Sequence, residues 1–142
     1  LTFNDTNVTL GKTYYYKVRG YHNNEDGTKG YSSYSKIVSK KVAISTPKVT
    51  VTNPNCMKNE LDWQDVELAK GYQVYRATKK DGKYSKVATV ETSSYEDTDV
   101  VIGKTYYYKV RAVVDSNGTD KYSSYSAIVS KKVQFILWNF YK

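Results

Sequence analysis

The nine residues "GKTYYYKVR" stand at positions 11–19 and again at 103–111, 92 positions apart. They belong to a longer repeat. At that offset Phe3–Arg19 aligns with Tyr95–Arg111, and twelve of the seventeen positions are identical. The match resumes at an offset of 91, where "YSSYSKIVSKKV" (31–42) meets "YSSYSAIVSKKV" (122–133) with eleven of twelve identical. One residue is therefore missing from the second copy, within the stretches "GYHNNEDGTKG" and "AVVDSNGTDK". Gly, Asn and Asp dominate there, as in surface loops that tolerate a change of length. A period near 90 is too long for a solenoid unit and suits an array of autonomous domains.

The chain has 142 residues, enough for one full repeat and the back half of another. Sixteen tyrosines stand against three phenylalanines. A tyrosine ring with a polar tip suits a half-buried β surface, so most of them are expected in core and sheet. Strand patterns run through "TPKVTVT" (46–52), "ELDWQ" (60–64), "YQVYRAT" (72–78), "YSKVATV" (84–90), "TYYYKVRAVV" (105–114) and "YSAIVSKKV" (125–133). Turn clusters "TNPN", "KKDGK", "VIGK" and "DSNG" separate them, and one weak helical pattern, "DVELAKG" (65–71), is too short to matter. Short strands at such spacing predict an all-β sandwich.

The order "LDW", "GYQVYRA", "SYEDTDVVIGKTYYYKVRAV", "YSSYSAIVSKKV" resembles a fibronectin type III domain of the tandem type found in bacterial surface and secreted proteins. The resemblance covers residues 46–133 in full and 1–42 as a domain without its first strands. The expected organisation is a partial repeat over 1–44 (end of strand E, strands F and G), a complete domain over 45–133, and an apolar tail over 134–142. The resemblance implies an Ig-like antiparallel sandwich, with Leu61, Trp63, Tyr72 and Val74 in the core. It also implies a tyrosine corner that pairs Val100 with Tyr106, and Val8 with Tyr14 in the first copy.

Strand periodicity puts Tyr106, Tyr108, Val110 and Ala112 on one face, and Tyr107, Lys109 and Arg111 on the other. The first set is apolar and predicts core. The second is basic and amphipathic, so Tyr107, its counterpart Tyr15, Lys109 and Arg111 form the candidate ligand surface. The alternative is that these side chains simply cover the sheet, with cation–π contacts among them.

Chemistry-bearing patterns are sparse. His22 stands alone in a loop, and Cys56 has no second cysteine for a disulfide or a thiolate metal site. No phosphate-binding glycine motif and no nucleophile triad can be assembled, so no catalytic activity and no cofactor are expected. Glu96, Asp97, Asp99, Asp115 and Asp120 could offer oxygens to calcium, but their spacing lacks a dedicated ligand ladder. Asx hydrogen bonds in turns are the competing account. A net charge of +8 suits anionic surroundings such as acidic wall polymers or glycans, whereas the scattered lysines form no nucleic-acid module. The run "FILW" is too short to span a bilayer.

The expected function is a non-catalytic extracellular spacer and interaction module of a tandem array, with neighbouring repeats as partners. The alternatives are a carbohydrate or acidic-wall-polymer binding module and an accessory domain of a secreted hydrolase. Because residues 1–44 lack the opposing sheet, self-association through the half-domain is a further expectation, half against half or with segment 134–142 laid on the open edge.

Overall fold

The computed structural model describes residues 1–135 and divides into two compact units, Leu1–Ala43 and a second that starts at Ile44. In the first unit β1 (Thr13–Tyr16) pairs antiparallel with β4 (Val38–Lys41), and β2 (Tyr21–Asn23) pairs with β3 (Lys29–Tyr31).

The second unit is built from two sheets. One holds β5 (Thr50–Asn55), β6 (Lys58–Asp62) and β9 (Ser94–Asp97) in the order β5-β6-β9. The other holds β7 (Gly71–Ala77), β8 (Ser85–Val90), β10 (Thr105–Ser116), β11 (Thr119–Tyr122) and β12 (Val129–Lys132). Its order is β11-β10-β7-β8, with β12 also paired to β10, and every pairing in both sheets is antiparallel. Side chains from both sheets form one core, in which Leu61 of β6 and Trp63 just after it meet Tyr72 and Val74 of β7 and Tyr106, Tyr108 and Val110 of β10. Val100 packs against that core and is partly buried. From Tyr106 to Ala112 the buried positions of β10 are Tyr106, Tyr108, Val110 and Ala112, while Tyr107, Lys109 and Arg111 are half-buried on the opposite face; Val113 and Val114 beyond them are both buried. The period of two in the sequence is thus the inside–outside alternation of the strand.

The two copies share their hydrogen-bonding register. Thr13↔Lys41 through Tyr16↔Val38 repeats as Thr105↔Lys132 through Tyr108↔Val129. The corner repeats as well, since the Tyr14 hydroxyl accepts the N–H of Thr9 at 2.9 Å and the Tyr106 hydroxyl accepts that of Val101 at 3.1 Å. The missing residue falls in the hairpin after β10, where Asn117 (φ 55) and Gly118 (φ 75) form a two-residue turn in the left-handed region. The first copy closes the same hairpin with Asn24 donating to Thr28 O, which leaves one more residue in the loop.

Two local expectations are corrected, over 46–52 and over 125–133. The strand predicted over 46–52 begins at Thr50 and runs to Asn55. The weak helical pattern at 65–71, too short to form a helix, holds a turn, with Leu68 at φ 64 and the Ala69 N–H bonded to Val66 O. The strand predicted over 125–133 is formed only from Val129, because in the stretch before it serine hydroxyls take over half of the ladder bonds to β10. The apolar segment 134–142 lies, from residue 136, outside the described residues.

Candidate interaction surface

The stretch 123–128 carries no strand, yet it is fastened to β10. The N–H groups of Ser123 and Ser126 donate to the carbonyls of Ala112 and Val110. In return, the Ser123 and Ser126 hydroxyls accept the N–H groups of Ala112 (2.9 Å) and Val110 (3.0 Å), and donate to the carbonyls of Ser124 and Ala127. Each serine therefore replaces one rung of a β ladder, which keeps buried backbone groups paired. The tyrosine before each serine, Tyr122 and Tyr125, is thereby left on the outer face of the sheet.

That face is a ladder of alternating rings and cations. The Arg111 guanidinium lies 4.0 Å from the centre of the Tyr122 ring and 5.1 Å from that of Tyr125. Lys109 Nζ lies 4.2 Å from Tyr125 and 4.6 Å from Tyr84. Arg111 also donates to Gln73 Oε1 through Nε (3.0 Å) and Nη2 (2.8 Å), and to the Tyr75 hydroxyl at 3.1 Å. Tyr75 meets Tyr125 edge to face at 5.2 Å. Burial, helped by a hydrogen bond with Tyr75, raises the Tyr125 phenol above its ordinary value. The first unit repeats the arrangement, with Arg19 at 3.7 Å from Tyr31 and 4.9 Å from Tyr34, and Lys17 at 4.0 Å from Tyr34. Its serines repeat too, because Val18 N–H donates to Ser35 Oγ and Gly20 N–H to Ser32 Oγ.

Of the four residues singled out from the sequence, Lys109 and Arg111 are engaged by this ladder. Tyr107 is half-buried on the same face, while Tyr15 is 72% exposed. The tyrosines that hold the cations, Tyr122 and Tyr125 with Tyr31 and Tyr34, escaped the sequence reading. The signal was present in the duplicated "YSSYS", whose two Tyr-Ser pairs are spaced by three.

A second polar cluster sits between the sheets. Asp97, 1% exposed, accepts the Tyr108 hydroxyl at 2.7 Å and Arg76 Nη1 at 2.8 and 2.9 Å. Asn59 Nδ2 donates to the Tyr108 oxygen at 3.0 Å, and Arg76 Nη2 reaches Asp99 at 2.8 Å. Burial works against the Arg76 charge, but the Asp99 and Asp97 bonds outweigh it and hold the guanidinium above its ordinary pKa. The Arg76 hydrogen bond also keeps the Asp99 carboxyl below the usual range.

These contacts account for the acidic residues that suggested calcium. Asp97 and Asp99 face Arg76, Glu96 pairs with Lys58, Asp120 pairs with Lys70, and Asp115 accepts the Gly118 N–H. Ion pairing, more than the turn bonding foreseen, is what these carboxylates do. Among the described residues no three of His, Cys, Asp or Glu gather as a metal site. His22 is exposed on β2 with its ring over Gly30, and Cys56 is a half-buried free thiol in the β5–β6 turn.

No family model matches the chain. A stretch of 45 residues, 30% of the chain, is 51% identical to an amylopullulanase of Thermoanaerobacter thermohydrosulfuricus. Another of 72 residues, 50% of the chain, is 35% identical to an amylopullulanase of Thermoanaerobacterium saccharolyticum. The chain spans 3% and 6% of the lengths of those two proteins. Among solved structures it is similar to the sixth fibronectin type III domain of human fibronectin type III domain containing protein 3. That match is 16% identical, covers 72% of this chain and 97% of the other, and has a TM-score of 0.55. A three-stranded sheet packed on a five-stranded one, joined through the Tyr106 corner, gives the unit from Ile44 onward the fold of a fibronectin type III domain.

Proposed function

We propose that the chain is a non-catalytic spacer and interaction module from a tandem fibronectin type III array of a bacterial extracellular enzyme, one related to the amylopullulanases. The observation that carries this reading is the scale of the matches: they fall on 3–6% of those enzymes' lengths, while this chain repeats one sandwich sequence. A fold of this kind hosts many roles, so the assignment rests on what the side chains do. Here the charged groups of the outer face are used within the module. Arg111 and Lys109 lie against tyrosine rings, and Arg111 N–H groups are held by Gln73 and Tyr75.

A second reading, a surface for carbohydrate or acidic cell-wall polymer, draws on the exposed tyrosines Tyr15 and Tyr21, 72% and 63% accessible. Affinity pull-down separates the two. The 142-residue chain should show neither retention on amylose, pullulan or Gram-positive wall material at about 50 mM salt, where charges are screened less than at physiological salt, nor release of reducing sugar. Retention that Tyr15→Ser with Tyr107→Ser abolishes moves the assignment to a binding module, and sugar release refutes the non-catalytic reading.

A further inference from the structure

The two outer faces of the second unit differ in charge. On the five-stranded sheet Lys109 and Arg111 of β10 stand outward, and the register adds Lys86, opposite Tyr75, and Lys132, opposite Thr105. Strands β7, β8 and β12 and residues 105–111 contain no carboxylate. Tyrosine rings lie against Lys109 and Arg111, but a ring does not neutralise a cation, and none of the four cations forms an ion pair among the described residues. On the three-stranded sheet Asn59 and Leu61 of β6 are buried, which leaves Lys58, Glu60 and Asp62 outward. Glu60 stands directly opposite Glu96 of β9, a like-charge pairing that disfavours the sheet on its own. Lys58 is shared between the two glutamates, and Asp62 has no ion-pair partner among the described residues. Spacing matches as well as sign. Outward neighbours along a strand are about 7 Å apart, so Glu60 and Asp62 repeat at the interval of Lys109 and Arg111. The first unit keeps the basic face, because Tyr15, Lys17, Arg19 and Lys41 stand where the second has Tyr107, Lys109, Arg111 and Lys132. Loop positions drift instead, with Asn7, Thr9 and Lys36 against Asp99, Val101 and Ala127. Core packing does not hold outward side chains in place, so their identity in both copies fits a shared contact.

We propose that the basic outer face of each repeat docks the acidic outer face of β6 and β9 in a second copy of the chain, with Glu60, Asp62 and Glu96 set on Lys109 and Arg111 or on their counterparts Lys17 and Arg19. The occupant is a second copy because the complement in charge and spacing is carried by the chain itself. The two faces are different patches of one molecule, so the contact is heterologous and adds copies without closing on a pair. A net charge of +8 repels a second copy at long range, but about 0.1 M salt screens charges more than about 10 Å apart while groups in contact still attract. The contact gives the interaction module its partner and so rests on that reading. Its absence would leave a plain spacer, whereas retention on sugar would refute the spacer and leave the contact untouched.

Static light scattering of the 142-residue chain at about 0.1 M salt should show a mass that keeps rising above that of one chain as concentration approaches about 1 mM, the range of weak contacts. At about 1 M salt the mass should return to that of one chain. Asp62→Lys with Glu96→Lys should lower the association constant about tenfold, the equivalent of two exposed ion pairs. Glu25→Lys with Glu67→Lys, the same change of net charge at exposed loop positions, should not. Asp62→Asn with Glu96→Gln repeats the comparison without adding charge, and should also weaken association. From the other side, Lys17→Gln with Lys109→Gln should weaken it comparably. Lys12→Gln with Lys104→Gln, again one position in both copies but off the basic face, should not. The mass of a single chain up to about 1 mM overturns the contact, as do equal losses for face and control substitutions. Loss on one face without loss on the other overturns a second copy as the occupant. Association that only Val18→Asp removes lies on the exposed apolar face of Leu1–Ala43 and overturns the charged contact.

Discussion

At the scale of single residues, the buried polar contacts set how the fold responds to pH. Burial, together with the hydrogen bond to Asp97, pushes the Tyr108 phenol well above its ordinary value near 10. Its folded pKa is therefore higher than its unfolded one, so its contribution is fully present below about pH 10 and is lost as pH rises beyond that. Tyr108→Phe should cost about 1–3 kcal/mol at pH 7, because Asp97 loses a donor while still buried. The same variant should lose stability less steeply than the parent between pH 9 and 11. Urea midpoints across that range would test this, and parallel losses would refute it. The tyrosine was visible in the sequence as an inward position, but Asp97 and Arg76 were not, since strand period says which face a charge is on and not which charges meet across the core.

At the scale of elements, the strand pattern located six of the eight strands of the second unit, and the errors share a cause. A strand is defined by backbone pairing, whereas sequence propensity reports side-chain fit. Residues 125–128 have strand-like composition, yet serine hydroxyls fill the ladder positions there and β12 starts only at Val129. Ser123→Ala with Ser126→Ala would leave the N–H groups of Ala112 and Val110 buried and unpaired, at about 1–3 kcal/mol each. Hydrogen exchange should rise at those two amides, with a lower midpoint in chemical denaturation. Ser124→Ala, at an exposed position between them, should change little. Equal effects at all three serines would mean that the hydroxyls do not carry the contact. The cation–π ladder was legible in part: periodicity assigned Lys109 and Arg111 to the outer face, but their partners Tyr122, at the end of β11, and Tyr125, in the unpaired stretch after it, come from other segments of the chain.

At the scale of the whole molecule, the stability of the second unit hangs on a few large side chains. Trp63 is 7% exposed and meets Tyr72 edge-on, with ring centres 5.2 Å apart. Trp63→Ala should cost about 3–5 kcal/mol, close to the entire stability of a small domain. Urea unfolding of the full chain should show the main transition shifted by that amount, and a loss under about 1 kcal/mol would contradict the core assignment. The periodicity of the repeat, and hence the sandwich, could be read from sequence because both copies keep the same inward set. That residues 1–44 lack an opposing sheet was legible for the same reason, and Val18 and Val38, 72% and 63% exposed, are the open face that follows from it.

The shared register of the two copies also bears on how the number of such copies can change over time. Both carry the same nine residues at the start of the same strand, with the same partners across the ladder. An unequal genetic exchange inside that stretch adds or removes 92 codons at once, and the crossover point falls where every inward side chain has an identical inward counterpart. When a repeat is gained, the hybrid keeps β5–β9 from one copy and takes β2–β4 from the other, including the longer hairpin of the first. The tyrosine-rich strand is thus a seam at which repeat number can drift without a misfolded intermediate in the lineage.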